Sequence, residues 1–171
     1  MYAIRRTRSY PLALGILLLL ASCLESPTYQ AQHSIPKNAW AYAHKPSFSF
    51  DITDTAARYH AYFLIRHTDA YPFSNIWVWV ETQQPGDSTF NRVRVEVPLA
   101  DRQGNWLARG DNGLAMGSST GAIWEHRMPL SRGDAPVIFP KAGRYTIRFE
   151  QAMRTNPLPE VLQVGLRIEK K

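Results

Sequence analysis

From Ser47 onward, apolar and polar residues alternate with a period of two, which is typical of β-strands that bury one face. In the first such run, Phe48, Phe50 and Ile52 alternate with polar residues. Seven runs share this pattern: 47–52, 61–66, 76–80, 92–97, 123–128, 144–150 and 162–169. Turn residues separate the runs, and no long stretch has helical spacing. Residues 46–171 are therefore predicted to form an all-β antiparallel β-sandwich, Ig-like or jelly-roll-like, of about seven or eight strands.

Two of these runs flank Pro85-Gly86 and are predicted to pair as a hairpin. Symmetric pairing about this turn places Trp77 opposite Arg94 and Trp79 opposite Arg92, with the valines on the other face. A longer connection of the same parity would preserve these faces. A guanidinium stacked on an exposed indole contributes about 0.5–1 kcal/mol.

These four residues form the candidate binding surface, because an exposed apolar patch often marks a site for a protein partner or a sugar. The alternative is that Trp77 and Trp79 lie beneath a covering element. The N-terminal segment and the long loop at 109–121 are the two candidates for that cover.

The first 22 residues have the layout of a secretory signal peptide. Positive residues in 5–8 precede an apolar run at 12–20, which ends in the lipobox Leu20-Ala21-Ser22-Cys23. Cleavage before Cys23, the only cysteine of the chain, would leave it carrying a diacylglyceryl group and a fatty acyl chain such as palmitate. The apolar run is shorter than the roughly 20 residues of a membrane span. An uncleaved anchor is the alternative, and both interpretations place the domain on a membrane outside the cytoplasm.

Residues 23–45 are predicted to be the lipidated N-terminus followed by an extended tether. They are polar, contain Pro27 and Pro36, and show no periodicity. Ile35-Pro36 and Trp40 are expected to be the points at which this tether begins to dock on the domain.

Charge and cysteine content exclude several classes of protein. The formal charge is +6, and removal of three arginines with residues 1–22 leaves +6 − 3 = +3, which is too low to indicate a nucleic-acid partner. An acylated Cys23 leaves no free thiol, so the fold needs neither a disulfide nor a cysteine-ligated metal.

No catalytic or metal-binding pattern emerges, so the sequence predicts no enzyme, no cofactor and no metal. The chain has no Gly-x-Ser-x-Gly and no P-loop, and its acidic residues show no spacing that selects a glycosidase pair. Asp101-x-x-Gly104-Asn105 is similar to the start of a calcium loop but lacks the later ligands. Five scattered histidines are interpreted as surface or rim residues: His33, His44, His60, His67 and His126.

Several separated motifs together resemble one family. They include the lipobox Cys23, Ile35-Pro36, Trp40, Phe48-x-Phe50, Tyr71-x-Phe73-Ser74-Asn75, Asp101-x-x-Gly104-x-Trp106-Leu107-x-x-Gly110, Phe139-Pro140-x-x-Gly143-x-Tyr145, Phe149-Glu150-Gln151-Ala152-Met153-Arg154 and Val164-Gly165-Leu166-Arg167-Ile168-Glu169-Lys170. Two C-terminal motifs are the most specific: the one that begins at Phe139 and runs on to Arg154, and the one from Val164 to Lys170. With these motifs the chain resembles the GldH gliding-motility lipoproteins of the Bacteroidetes.

The resemblance implies a lipid-anchored accessory protein of the cell envelope, without catalytic activity. Its membrane contact would be the lipidated Cys23, and its partners would be other envelope proteins of the gliding machinery and, through it, of type IX secretion. The expected location is the outer membrane. The domain is expected to face the periplasm and not the cell surface, because only Glu25 is acidic near the mature N-terminus and no acidic run that could act as a sorting signal is present. One alternative is a module that binds peptidoglycan or polysaccharide through Trp77 and Trp79. An envelope hydrolase, which would need a cleft with paired carboxylates, is a third hypothesis.

Overall fold

Two antiparallel sheets stack face to face in the computed structural model, which describes residues 28–108 and 123–171. The first sheet contains, in spatial order, β1 (Tyr29–Ser34), β10 (Val161–Lys170), β4 (Tyr59–Thr68) and β7 (Ile123–Pro129). The second contains β3 (Ser47–Ile52), β8 (Gly143–Gln151), β5 (Asn75–Gln83) and β6 (Asn91–Pro98). A small ribbon pairs β2 (Ala39–Trp40) with β9 (Leu158–Pro159). The predicted sandwich is confirmed, and all seven predicted runs are strands.

The core lies between the inward faces of the two sheets. Phe63 of β4 packs edge-on against Phe149 of β8, with ring centroids 4.9 Å apart, and Phe48 of β3 adds a third ring 5.6 Å from Phe149. All three side chains are fully buried. This packing is the direct result of the period-two alternation, because every second side chain points into the same layer. Within the described ranges, 28–108 and 123–171, no helix is long and apolar enough to cross a membrane.

Strand β1 corrects the prediction of an extended tether over residues 23–45. Residues 29–34 pair antiparallel with β10 along their whole length, and the Tyr29 ring lies 5.5 Å from that of Phe50. Ile35 and Trp40 are buried, so the docking expected at these two residues does occur. The predicted signal peptide (1–22) and Cys23 lie outside the described residues.

The β5–β6 hairpin has the predicted faces but a different register. Trp79 lies opposite Arg94, and Trp77 lies opposite Glu96, which is a shift of two residues from symmetric pairing about Pro85-Gly86. The shift arises because the connecting loop, residues 84–90, is not centred on that dipeptide. Since the shift is even, no side chain changes face.

Gly165 of β10 occupies a narrow space between β1 and β4. A Cβ atom there would lie 2.6 Å from the Ala31 carbonyl oxygen and 3.2 Å from the Leu64 Cβ. A larger residue would push β1 away from the sheet, which gives a physical reason for the glycine in the 164–170 motif.

Candidate functional site

The four predicted surface residues lie together on the outer face of the second sheet. Trp77 and Trp79 of β5 alternate with the buried residues Ile76 and Val78, so their side chains point away from the core. Arg92 and Arg94 of β6 lie on the same outer face. We call Trp77, Trp79, Arg92 and Arg94 the Trp/Arg face. Both tryptophans are half-buried, and both arginines are exposed.

Each indole of the Trp/Arg face carries a stacked guanidinium. The Arg92 Cζ atom lies 4.2 Å from the Trp79 ring centroid, and the Arg94 Cζ atom lies 4.5 Å from that of Trp77. The predicted stacking partners are therefore present, but they meet diagonally because of the shifted register. That the Trp/Arg face binds a partner remains a prediction.

Two carboxylates bind the Trp/Arg face to its neighbours. Glu81, whose side chain is only 8% exposed, lies 2.9 Å from Arg148 and 3.5 Å from both Arg92 and Lys45. Glu150 lies 2.6 Å from Lys45 and 2.9 Å from Arg92. We call these five residues the charge network. A network of this kind orders long side chains more firmly than an isolated surface pair does.

Two segments of the chain flank the Trp/Arg face. The N-terminal segment does reach the Trp/Arg face, where Lys45 joins the charge network. The segment after β8 also flanks this face. The Ala152 carbonyl accepts a hydrogen bond from Arg94 Nη2 at 3.2 Å. Met153 Sδ lies 3.2 Å from the backbone nitrogen of Trp77. The 109–121 loop lies outside the described residues. The two tryptophans are therefore flanked on one side and still partly open to solvent.

A buried pair of histidines was missed by the sequence analysis. His67 of β4 and His126 of β7 are almost fully buried, so their interpretation as surface or rim residues is wrong. Their Nε2 atoms lie 2.9 Å apart, and His67 Nδ1 lies 2.7 Å from the Thr68 carbonyl oxygen. Because a carbonyl can only accept, His67 Nδ1 is the donor and His67 Nε2 accepts from His126 Nε2.

This arrangement favours the neutral form of both rings. Burial lowers the pKa of His67, and burial together with the adjacent His67 lowers the pKa of His126 to about 3. His126 Nδ1 has no hydrogen-bond partner among the described residues. At neutral pH the pair is therefore an uncharged polar contact inside the sandwich.

Aromatic residues enclose the histidine pair at the end of the sandwich where β4 finishes. Trp106 packs edge-on against His67 with centroids 4.5 Å apart, and the Tyr71 ring lies 5.0 Å from His67. Asp69 Oδ1 accepts hydrogen bonds from the indole nitrogens of Trp106 and Trp124, both at 3.0 Å. Across the described part of the chain, no three acidic, histidine or cysteine side chains are grouped to hold a metal ion. These aromatic residues and their hydrogen bonds to Asp69 cover the histidine pair at this end of the core.

The segment similar to a calcium loop is a self-contained turn. Asp101 Oδ1 accepts from the backbone nitrogens of Gln103 and Asn105 at 2.9 and 2.8 Å, and Asp101 Oδ2 accepts from Asn105 Nδ2 at 3.0 Å. These bonds, those from Asn105 foremost, lower the pKa of the Asp101 carboxyl. Its oxygens are used in holding the turn.

Comparison with known proteins identifies the family. A family model described as GldH lipoprotein matches residues 27–168. The chain belongs to the GldH lipoprotein family. The match covers the described strands except the last two residues of β10, and it includes the specific C-terminal motifs as far as Ile168, so the resemblance drawn from those motifs is confirmed.

Two GldH relatives match over nearly their full length. A gliding motility lipoprotein GldH homolog from Christiangramia forsetii is 26% identical over 161 residues, covering 90% of each chain. The gliding motility lipoprotein GldH of Flavobacterium johnsoniae is 27% identical over 169 residues, covering 92% of this chain and 96% of its own.

Two solved structures are distantly similar to this GldH chain. A carbohydrate-binding module specific for non-crystalline cellulose, CBM28, aligns with a TM-score of 0.41 at 11% identity, over 83% of this chain and 74% of the module. The VP2 subviral particle of infectious bursal disease virus aligns with a TM-score of 0.33 at 10% identity, over 85% and 31%. Neither likeness carries a functional argument.

Proposed function

We propose that this protein is a lipid-anchored accessory component of the cell envelope that binds another envelope protein through the Trp/Arg face. Membership of the GldH family and the names of its relatives support a place in the gliding machinery and, through it, in type IX secretion. The proposed anchor is acylated Cys23, and the proposed location is the outer membrane, facing the periplasm.

The observation that carries the binding role is the ordered stacking of two arginines on two tryptophans at a solvent-facing sheet surface. Trp and Arg are enriched among the few interface residues that supply most of the binding energy. Arg92 is held both by the Trp79 ring and by Glu150, at 2.9 Å. Side chains that are already ordered lose less conformational entropy when a partner binds.

The same geometry argues against carbohydrate binding at this surface. A sugar ring stacks on an open aromatic face, and the guanidinium groups of Arg92 and Arg94 already occupy a face of Trp79 and Trp77. A glycan that stacks on either of these occupied faces would have to displace a cation that is anchored by a hydrogen bond or an ion pair. A protein partner can instead contact the stacked pairs as they stand.

The test is crosslinking of the full-length acylated protein in native membranes, followed by pull-down. We expect Trp79→Ala and Arg94→Ala to reduce recovery of the specific envelope partner by about tenfold or more, the loss expected when a dominant interface residue is truncated. Arg144→Ala is the matched control, because Arg144 lies on the same outer face and, within residues 28–108 and 123–171, pairs only with exposed Asp51. Cys23→Ala tests the anchor separately.

Two outcomes would contradict this proposal. Undiminished partner recovery by both Trp/Arg variants would show that the interface lies elsewhere on the molecule. Retention on peptidoglycan or polysaccharide, abolished by Trp79→Ala, would instead support the carbohydrate-binding alternative.

A further inference from the structure

Strand β1 begins very close to the predicted lipid anchor. Its first residue, Tyr29, follows Cys23 by only six positions. A fully extended chain covers about 3.3–3.6 Å per residue, so six residues reach at most about 20 Å. A ten-residue strand such as β10 is longer, at about 33 Å. The end of the sandwich at which β1 begins is therefore held near the membrane whenever Cys23 is acylated.

Strand pairing identifies that end. Tyr29 pairs with Ile168 near the end of β10, and Lys170 pairs with Tyr59 at the start of β4. Tyr59 also bridges to Val137 in the segment before β8. We call this region the anchor end, and it comprises residues 53–58, 84–90, 130–142 and 170–171.

The anchor end exposes one large apolar side chain. Ile138 is 61% exposed, although both its neighbours pack inward: Val137 bridges to Tyr59, and the Phe139 ring lies 5.3 Å from that of Tyr59. The backbone around Ile138 is thereby fixed to the core while its side chain stays in solvent. Rigidly presented apolar side chains of this kind are suited to entering a membrane interface.

Cationic side chains outnumber acidic ones at the anchor end. The anchor end carries five cationic residues (Arg58, Arg132, Lys141, Lys170, Lys171) and three acidic ones (Asp54, Asp87, Asp134), a balance of 5 − 3 = +2. Lys170 pairs with Asp54 at 2.8 Å and Lys141 pairs with Asp87 at 3.0 Å. Arg58 and Arg132 are exposed and form no ion pair within the described ranges. Free cations beside an apolar residue complement anionic lipid headgroups.

We infer that the anchor end rests on the bilayer that holds the acyl chains, with Ile138 in the headgroup region and Arg58 and Arg132 against lipid phosphates. The strands then run away from the membrane, and the Trp/Arg face stands open at the side. This inference rests on the proposed lipid anchor at Cys23.

Because Cys23 is the only cysteine of the sequence, a cysteine introduced elsewhere can be labelled selectively once Cys23 is acylated. A cysteine introduced at position 138 (Ile138→Cys) in the full-length acylated protein is labelled with bimane, and the protein is reconstituted into phosphatidylethanolamine and phosphatidylglycerol vesicles with doxyl-labelled lipid. The matched control is Leu107→Cys, since Leu107 is 42% exposed and lies beyond β6 at the opposite end. We expect at least twofold stronger quenching at position 138 than at position 107. Adding Arg58→Glu and Arg132→Glu should reduce that quenching.

Flotation of the vesicles shows whether a negative result concerns the membrane-contact surface or the lipid anchor at Cys23. Equal quenching at positions 138 and 107 in protein that floats with the vesicles overturns the contact surface and leaves the anchor intact. Full-length protein that has passed through the export pathway and still fails to float overturns the anchor at Cys23 and this inference with it. Stronger quenching at 138 that is lost in the double arginine variant supports the inference.

Discussion

The histidine pair shows that strand parity decides burial even for a residue that is usually exposed. His67 continues the inward-facing series formed by Ala61, Phe63 and Ile65, so its side chain lies in the core. Its partner His126 lies 59 residues further along the chain, on the strand β7 that pairs with β4. The imidazole becomes acceptable in the core only when both histidines are placed together.

The histidine pair predicts acid sensitivity. In the unfolded chain a histidine has a pKa of about 6.5, whereas in the folded protein the pKa of His126 is about 3 and that of His67 is also lowered. The stabilising contribution is therefore complete above pH 6.5 and is lost as the pH falls through that value toward 3. We expect the free energy of unfolding to fall by up to about 1.4 kcal/mol per pH unit between about pH 6 and pH 4 from His126 alone, and His67 changes it in the same direction.

Urea unfolding followed by tryptophan fluorescence at pH 7.5, 6 and 5 measures this loss. His126→Leu should flatten the pH dependence whatever its effect on absolute stability, because one titrating group is gone. His60→Gln is the control, since His60 lies on the outer face against Asp134 and the buried pair stays intact. A wild-type free energy that does not change over this pH range would contradict the assignment.

In the β5–β6 hairpin, the alternation of apolar and polar residues specifies the face of each side chain but not the register of the two strands. Alternation fixed the outer face for Trp77, Trp79, Arg92 and Arg94, because a face depends only on parity. Register depends on the length of the loop, and Pro85-Gly86 is off-centre within residues 84–90. The stacked pairs survived this error because a long arginine side chain reaches a diagonal neighbour as well as a direct one.

The charge network predicts that Glu81 stabilises the second sheet. Glu81→Gln removes a largely buried negative charge. Lys45 and Arg92 keep their contacts with Glu150, whereas Arg148 keeps no acidic contact among the described residues. We expect the free energy of unfolding to fall by about 1–3 kcal/mol, because hydrogen bonds to a shielded carboxylate, such as the one that Arg148 Nε donates to Glu81, are charge-assisted. Denaturant titration at low and moderate salt measures this change.

Asp51→Asn provides the comparison for Glu81→Gln on the same sheet face. Asp51 and Arg144 form a well-aligned pair, with contacts of 2.8 and 3.1 Å, but both side chains are more than half exposed. Solvent screening makes such a pair nearly neutral for stability. Equal losses from the two substitutions would contradict the distinction between a buried network and a surface pair.

The all-β class of the fold could be predicted from the sequence. The spatial order of the strands within each sheet could not. Seven strands were visible because their apolar residues repeat every second position. Strand β1 was missed because its inward residues are Tyr29, Ala31 and His33, which give a weak apolar signal between glutamines. Its membership of the first sheet depends on β10, at the other end of the sequence, and no local pattern reports such a contact.

Strand β1 is predicted to be essential to the fold. A chain that begins at Ile35 lacks six residues paired to β10 and the contact of Tyr29 with Phe50. We expect it to lose about 3 kcal/mol of stability or more, from apolar burial and strand hydrogen bonds together. A chain that begins at Tyr29 is the control, since it keeps every described strand. Identical urea midpoints for the two chains would show that β1 is dispensable.

The pairing of β1 with β10 also affects the order in which an exported chain can fold. A chain threaded across a membrane amino-terminus first delivers residues 29–34 early and residues 161–170 late, so the first sheet stays incomplete until export has nearly finished. Pairings between distant residues form slowly, and an unpaired strand edge is prone to aggregation in the meantime. With the proposed lipid at Cys23, a chain interrupted before β10 would stay on the membrane with the β10-facing edge of β1 unpaired.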